Sequence, residues 1–268
     1  MSKIILKTDE EIELIRESCL LVSRTIAEVG KNIKEGISTI ELDKIAEEFI
    51  KDNGAIPAFK GYRKEKLVFN HTLCISVNEQ VVHGVPGSYV LKNADIVSID
   101  CGVLKNGFYG DSAYTFPVGE ITKEVKQLLA VTKESLYKGI KHAESGNRIG
   151  DIGFAIEEYV RSFGFGIVRE LVGHGIGKNL HEEPEVPNYG KRGSGPKIES
   201  GLVIAIEPMI TMGNRDIKIE NDGWTISTLD KKPAAHFEHT LVVRKDKMEI
   251  LTSFEIIETE LKLKTQLI

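Results

Sequence analysis

The chain of 268 residues holds only three cysteines, Cys19, Cys74 and Cys101. So few, so scattered, exclude a disulfide framework and a structural zinc site built on cysteine pairs. They predict a cytoplasmic protein with reduced thiols. No apolar run approaches the roughly 18–20 residues that a bilayer span needs. The opening "MSKIILKTDEE" lacks the long apolar core of a secretory signal. An excess of positive charge is also missing: the net charge is −5, which gives no electrostatic footprint for general nucleic-acid binding. What is present, 41% hydrophobic and 28% charged residues, is the composition of a globular enzyme with room for a sizeable core. We read residues 1–268 as a single domain.

The chain repeats itself loosely. "GISTIELDKIAEEFIKDNG" (36–54) and "GNRIGDIGFAIEEYVRSFG" (146–164) begin and end on glycine and carry Glu-Glu, an aromatic, a β-branched residue and a base at matching places, 110 residues apart. Ser38 and Glu41 have capping-box spacing, and Gly54 is a helix stop. Ahead of the first copy, Ile12, Ile15, Cys19, Val22, Ile26 and Val29 form an amphipathic helical stripe. Val125, Leu129 and Leu136 hold that register ahead of the second. The pattern predicts helices over about 8–32, 38–53, 122–143 and 150–163. The strands echo too: "IVSID" (96–100) with "VIAIE" (203–207), "FYGDSA" (108–113) with "HFEHTL" (236–241), and, more weakly, "HGVP" (83–86) with "HEEP" (181–184). The expectation is an α+β fold of two duplicated halves, about 8–118 and 119–250. Each contributes antiparallel sheet and a helix pair, related by a pseudo-two-fold.

Four acids lie within these apolar strand-like runs: Asp100, Asp111, Glu207 and Glu238. Asn106-Gly107 between two apolar runs is a strong hairpin signal, and it would bring Asp100 and Asp111 onto neighbouring strands. Taken singly, each acid reads as a strand end or edge position near solvent. His83 and His174 read singly as turn or loop side chains. Taken together they pose a problem, because unpaired buried carboxylates cost several kcal/mol each. A pair of divalent cations would balance four carboxylates, with His174 as a borderline nitrogen ligand. Such a pair, about 3.5–4 Å apart, activates a water and clamps a hydrolytic transition state. A single zinc is the alternative, and it would leave buried acids unpaired.

"CISVNEQVVHGVP", "IVSIDCGVLKNGFYGDSAYTF", "GHGIGKNLHEEP", "LVIAIEPM" and "FEHTLVV" stand in the order and spacing of a known family. Over about residues 8–250 the chain resembles the type I methionine aminopeptidases, metallopeptidases of the pita-bread fold. The resemblance implies a single catalytic domain that removes the initiator methionine from nascent polypeptide N-termini when the second residue is small. It implies two divalent ions, iron(II), manganese, cobalt or zinc. Their ligands would be Asp100, Asp111, His174, Glu207 and Glu238, with Asp111 and Glu238 bridging. His83 and His181 would face the metals from the rim and stabilise the tetrahedral intermediate, and Glu207 would double as proton acceptor. Phe59, Tyr62, Cys74 and Trp224 match the methionine pocket wall, although Phe59 also reads as ordinary core. Leu180 stands where the family often has an aromatic. His239 is expected on the opposite strand face, and His71, His142 and His236 are given no role.

The chain departs from the family between Tyr62 and Cys74, where "RKEKLVFNHTL" is longer and more charged than the usual turn. Phe69 is the candidate there for a second wall aromatic. Neither an N-terminal zinc-binding extension nor the helical insertion of type II enzymes between Glu207 and Glu238 is expected. Lys64, Lys66, Lys231 and Lys232 are candidates for transient ribosome contact, against the reading of solvated surface. No membrane partner is expected. Two rivals stay open: a binding protein on the same fold without catalysis, and a proline-specific peptidase.

Overall fold

The computed structural model describes residues 3–245 and 247–262. Four main helices form where the apolar stripes require them: α1 (Asp9–Gly30), α2 (Thr39–Asp52), α3 (Lys123–Ile140) and α4 (Ile149–Arg161). Every residue of the predicted α1 stripe is buried. A short α5 (Phe254–Glu260), not foreseen from the sequence, packs on α1.

The two halves start their second helices in the same way. The Glu41 carboxylate accepts the Ser38 backbone N–H at 2.9 Å, and 110 residues on the Asp151 carboxylate accepts the Arg148 N–H at 2.8 Å. An acid three residues into a helix can do this whatever the capping residue's own side chain. Arg148 therefore replaces Ser38 without changing the geometry. Helix α4 opens at Ile149, one residue before the start at about 150 that the sequence suggested.

The first half carries a long antiparallel hairpin, Ile96–Lys105 paired with Phe108–Pro117. Its turn is Asn106-Gly107, both with positive φ (52° and 80°), as a two-residue hairpin of this type requires. Leu73–Val77 and Ile56–Pro57 pair along the other edge of Ile96–Lys105. Helix α1 crosses the hairpin at Gly110, where a Cβ would lie 2.5 Å from the Cys19 nitrogen.

The second half carries a matching hairpin with a gap in it. Val203–Ile206 pairs with His239–Val243, and Met209–Thr211 pairs with Ala234–His236. One register runs through both segments, since Ile206 opposes His239 and Met209 opposes His236. The sequence predicted all four acids within strands. Asp100 and Asp111 are, but Glu207 and Glu238 lie in the gap. Backbone groups released there bond outward: Glu238 N–H donates to the Ala113 carbonyl (2.9 Å), Ser112 Oγ donates to the Glu238 carbonyl (2.6 Å), and the buried Asn188 amide donates to the Glu207 carbonyl (3.0 Å). Thr240 Oγ1 to the Asp111 carbonyl and Thr115 Oγ1 to the His236 carbonyl complete the seam between the two hairpins, at 2.8 and 2.7 Å. The main core draws on α1 to α4 and on strands of both halves.

Candidate metal centre

Strand geometry puts the acids of the first half on one face. Asp100 opposes Ala113 and Asp111 opposes Gly102. Opposed residues share a face, as do residues two apart, so Asp100 and Asp111 are diagonal neighbours. Helix α1 covers the other face, against Gly110. Cys74 opposes Asp100 and joins the acidic face. The Phe59 ring packs over Gly102, where a Cβ would come within 2.6 Å of it.

Across the seam, Glu207 and Glu238 meet this face at the floor of a cavity of about 770 Å³. All five expected ligands line that cavity, as do His83, His181, Phe59, Tyr62, Cys74 and Trp224. Single donor atoms of Asp111, His174 and Glu238 all lie within 4.8 Å of one another. Glu207 Oε1 lies 3.7 Å from His174 Nε2. The His174 Nδ1–H is given to the Gly175 carbonyl at 2.9 Å. That fixes the tautomer and leaves the Nε2 lone pair free towards the acids, the usual preparation of a metal-ligating imidazole.

The fit to cations rests on what these groups lack. Oδ1 of Asp100, Oδ1 of Asp111 and Oε1 of Glu238 are buried without a hydrogen-bond partner. Such orphans are rare in native proteins and ask for an explanation. Burial pushes Asp100 up to about 7 and Glu207 up to about 8. Asp111 and Glu238 stand well above the usual carboxylate range, first from burial, then from the charges of Asp100 and Glu207 on Asp111 and of Asp111, Glu207 and Asp100 on Glu238. Burial holds His174 down at about 3 and His83 at about 4, so both rings are neutral at pH 7. A neutral imidazole beside carboxylates starved of positive charge is a donor set for hard to borderline dications.

The mouth is aromatic. Tyr62 and Phe69 both meet Trp224 edge-on, with centroids 6.4 and 5.4 Å apart. Phe69, from the lengthened loop, therefore lines the cavity beside them. That loop is a small ribbon: Arg63–Lys64 pairs with Leu67–Val68, and Phe69 N–H closes it on the Tyr62 carbonyl at 2.9 Å. The Tyr62 hydroxyl lies 3.4 Å from His181 Nδ1, and the His181 ring stacks edge-on against His174 at 4.4 Å. Leu180 lines the same cavity.

His239 turns away as expected, its Nδ1 2.7 Å from Thr252 Oγ1 and its ring on Phe254. His71 lies by Asp43, whose carboxylate also accepts the Thr72 and Leu73 N–H groups. His236 is different. Given no role from the sequence, it is buried behind the site with Nε2 3.6 Å from Glu207 Oε2. Its spacing of two from Glu238 was the available signal.

A model of metallopeptidase family M24 matches residues 13–245. The chain belongs to metallopeptidase family M24. Among family relatives, it is 51% identical over 249 residues to methionine aminopeptidase 1 of Bacillus subtilis (strain 168), covering 93% of this chain and 99% of that one. The crystal structure of methionine aminopeptidase from Thermotoga maritima superposes with a TM-score of 0.91 at 42% identity, covering 94% of this chain and all of the other. Prolidase from Pyrococcus furiosus shares the fold, with a TM-score of 0.77 at 24% identity, but this chain covers only 66% of it. The duplicated α+β architecture is the pita-bread fold of family M24.

Proposed function

We propose that the chain is a methionine aminopeptidase of one catalytic domain. It removes the initiator methionine from nascent proteins whose second residue is small. The observation that carries this reading is the convergence of Asp100, Asp111, His174, Glu207 and Glu238 on one aromatic-walled cavity, with Asp111, His174 and Glu238 buried. The 51% identity to a methionine aminopeptidase supports it.

Two divalent ions would be held by these residues. Asp111 and Glu238 would span both, Asp100 would serve one, and His174 with Glu207 the other. Iron(II), manganese, cobalt and zinc all suit this donor set, and availability decides among them. Bound there, the ions would supply a nucleophilic water at neutral pH and polarise the scissile carbonyl. Glu207 would accept a proton from the attacking water once bound ions have displaced its own. Neutral His83 and His181 would donate to the oxygen on which charge develops. Tyr62, Phe69, Cys74 and Trp224, backed by Phe59 and Leu180, would hold the methionine side chain. The protein would work in the cytoplasm on emerging N-termini. Of the four lysines proposed for ribosome contact, Lys64 also lines the cavity mouth.

A peptide panel tests the reading. Met-Gly, Met-Ala and Met-Ser peptides should be cleaved, and Met-Lys or Met-Leu peptides hardly at all, since a bulky second side chain would meet His83 and His181. Methionine's unbranched thioether suits the pocket, and a hydrophobic wall discriminates by roughly 1–3 kcal/mol per methylene. Leu-Ala should therefore fall at least about tenfold below Met-Ala in kcat/KM. Comparable rates for the two, or cleavage of acetylated Met-Ala, would mean a broader peptidase. Preference for X-Pro would favour the proline-specific rival, and no hydrolysis by metal-loaded protein the binding-protein rival.

Acidity should tune metal retention in a definite direction. In the unfolded chain these carboxyls ionise near pH 4. In the folded, metal-free protein they keep their protons to about 7 at Asp100 and about 8 at Glu207. Between those limits the folded state binds more protons, so metal-free stability falls as pH rises. Ions displace those protons and remove the loss. The Tm difference between protein with Mn(II) and protein with chelator should therefore widen from pH 5.5 to pH 8. A gap that narrows with rising pH would contradict the assignment.

A further inference from the structure

The two oxygens of Glu207 face two different imidazoles. Oε1 faces His174 Nε2 at 3.7 Å, and Oε2 faces His236 Nε2 at 3.6 Å. The two rings are prepared differently. His174 has spent its Nδ1–H on the Gly175 carbonyl, so its Nε2 has no proton to give. His236 is 1% exposed, and neither ring nitrogen has a hydrogen-bond partner. A buried, unpartnered imidazole is costly unless a partner is intended for it.

His236 is also held in place. Its backbone N–H donates to Thr115 Oγ1 at 3.0 Å, and its carbonyl accepts the same hydroxyl at 2.7 Å. The backbone that carries the ring is therefore tied across the seam to the first half. It is not among the residues whose donor atoms close on one another within 4.8 Å, which are Asp111, His174 and Glu238. Among the described residues no hydrogen bond reaches either Glu207 carboxylate oxygen.

We propose that His236 is a positioning residue for Glu207: its Nε2–H donates to Oε2 when the site is loaded, and this commits Oε1 to the metal beside His174. The inference rests on the reading of Glu207 as a metal ligand. Partners that orient a ligating side chain typically change metal affinity by about 10–100-fold when removed. The second half opens its hairpin at Glu207, so the backbone alone does not fix that carboxylate, and a side-chain partner has something to do.

The test compares His236→Leu with His236→Gln in the full-length protein. The two replacements are similar in size, and only the amide can donate. Metal-free protein is titrated with Mn(II) by calorimetry, beside wild type and Glu207→Gln. His236→Leu should weaken one of the two binding events by about 10–100-fold and leave the other unchanged. His236→Gln should recover to within a few-fold of wild type. With Met-Ala peptide at saturating Mn(II), the Leu variant should lose kcat with little change in KM. A merely structural histidine would change metal-free Tm without separating the two binding events. Leu and Gln variants of equal affinity, whether both tight or both weak, would overturn the inference. If Glu207→Gln itself binds both ions as tightly as wild type, the ligand assignment has failed instead.

Discussion

Alanine at Asp111 or at Glu238 is expected to strip both metal ions from the protein and leave turnover at background. Each acid stands at the seam between the halves, with its backbone tied to the opposite hairpin: Thr240 Oγ1 holds the Asp111 carbonyl, and Ala113 and Ser112 hold Glu238. Each also buries a carboxylate oxygen that no protein donor reaches. A residue proposed to span both ions takes both with it. The loss should exceed the roughly 10–100-fold that follows removal of a residue which only orients a ligand. Asp100→Ala should instead weaken one ion more than the other. The metal-free variants carry a second signature. Burial and neighbouring negative charge push Asp111 and Glu238 far above their ordinary range, so removing either relieves repulsion among the acids. Metal-free Asp111→Ala and Glu238→Ala should melt no lower than metal-free wild type at pH 8, while gaining nothing from added Mn(II). Metal analysis and melting curves decide the matter. Near-native metal content in all three variants would sink the dinuclear assignment.

Much of this site could be read from the chain because its signals are local. Asn106-Gly107 needs two left-handed residues in sequence, and that need is visible without any partner. The α1 stripe follows from a period of 3.6, and the diagonal placement of Asp100 and Asp111 from a period of two. The failures are non-local. Glu207 and Glu238 look like strand residues because their neighbours are strand residues. The gap falls where Pro208 has no N–H to give the ladder and where the first hairpin takes Glu238's backbone through Ala113 and Ser112. What His236 faces is hidden in the sequence for the same reason, since Glu207 lies on the opposite arm of the gap, distant along the chain. The charged stretch after Tyr62 gave no clear pattern because its register is set at its base, by Gly61 and Tyr62 pairing with Phe69. Asp43 shows the opposite limit: a buried acid on α2 whose carboxylate is met by two backbone N–H groups and the His71 ring, and which therefore needs no ion.

Replacing His83 or His181 by alanine should leave both metals in place and lower kcat by about 10²–10³-fold, the cost of one lost donor to a developing oxyanion. The two rings are aimed by different means. His83 has φ of 57°, an unusual conformation for a residue with a side chain. Gly84 beside it is pressed so close to the Leu73–Val77 strand that a Cβ would lie 2.1 Å from the Ile75 carbonyl oxygen. Rigid backbone therefore directs His83 at the cavity, and its low pKa keeps it neutral. His181 relies on side chains: Tyr62 Oη at Nδ1 and the His174 ring beside it. With the hydroxyl as donor, the His181 proton sits on Nε2, available to a substrate oxygen. Tyr62→Phe should thus reduce kcat modestly through His181 and leave His83 untouched. In a double-mutant cycle, Tyr62→Phe should cost nothing further once His181 is alanine, but should add fully to His83→Ala. Metal analysis of each variant completes the experiment. A His83 or His181 variant that purifies without metal would make that histidine a ligand, and the assignment of five ligands would have to be redrawn around it.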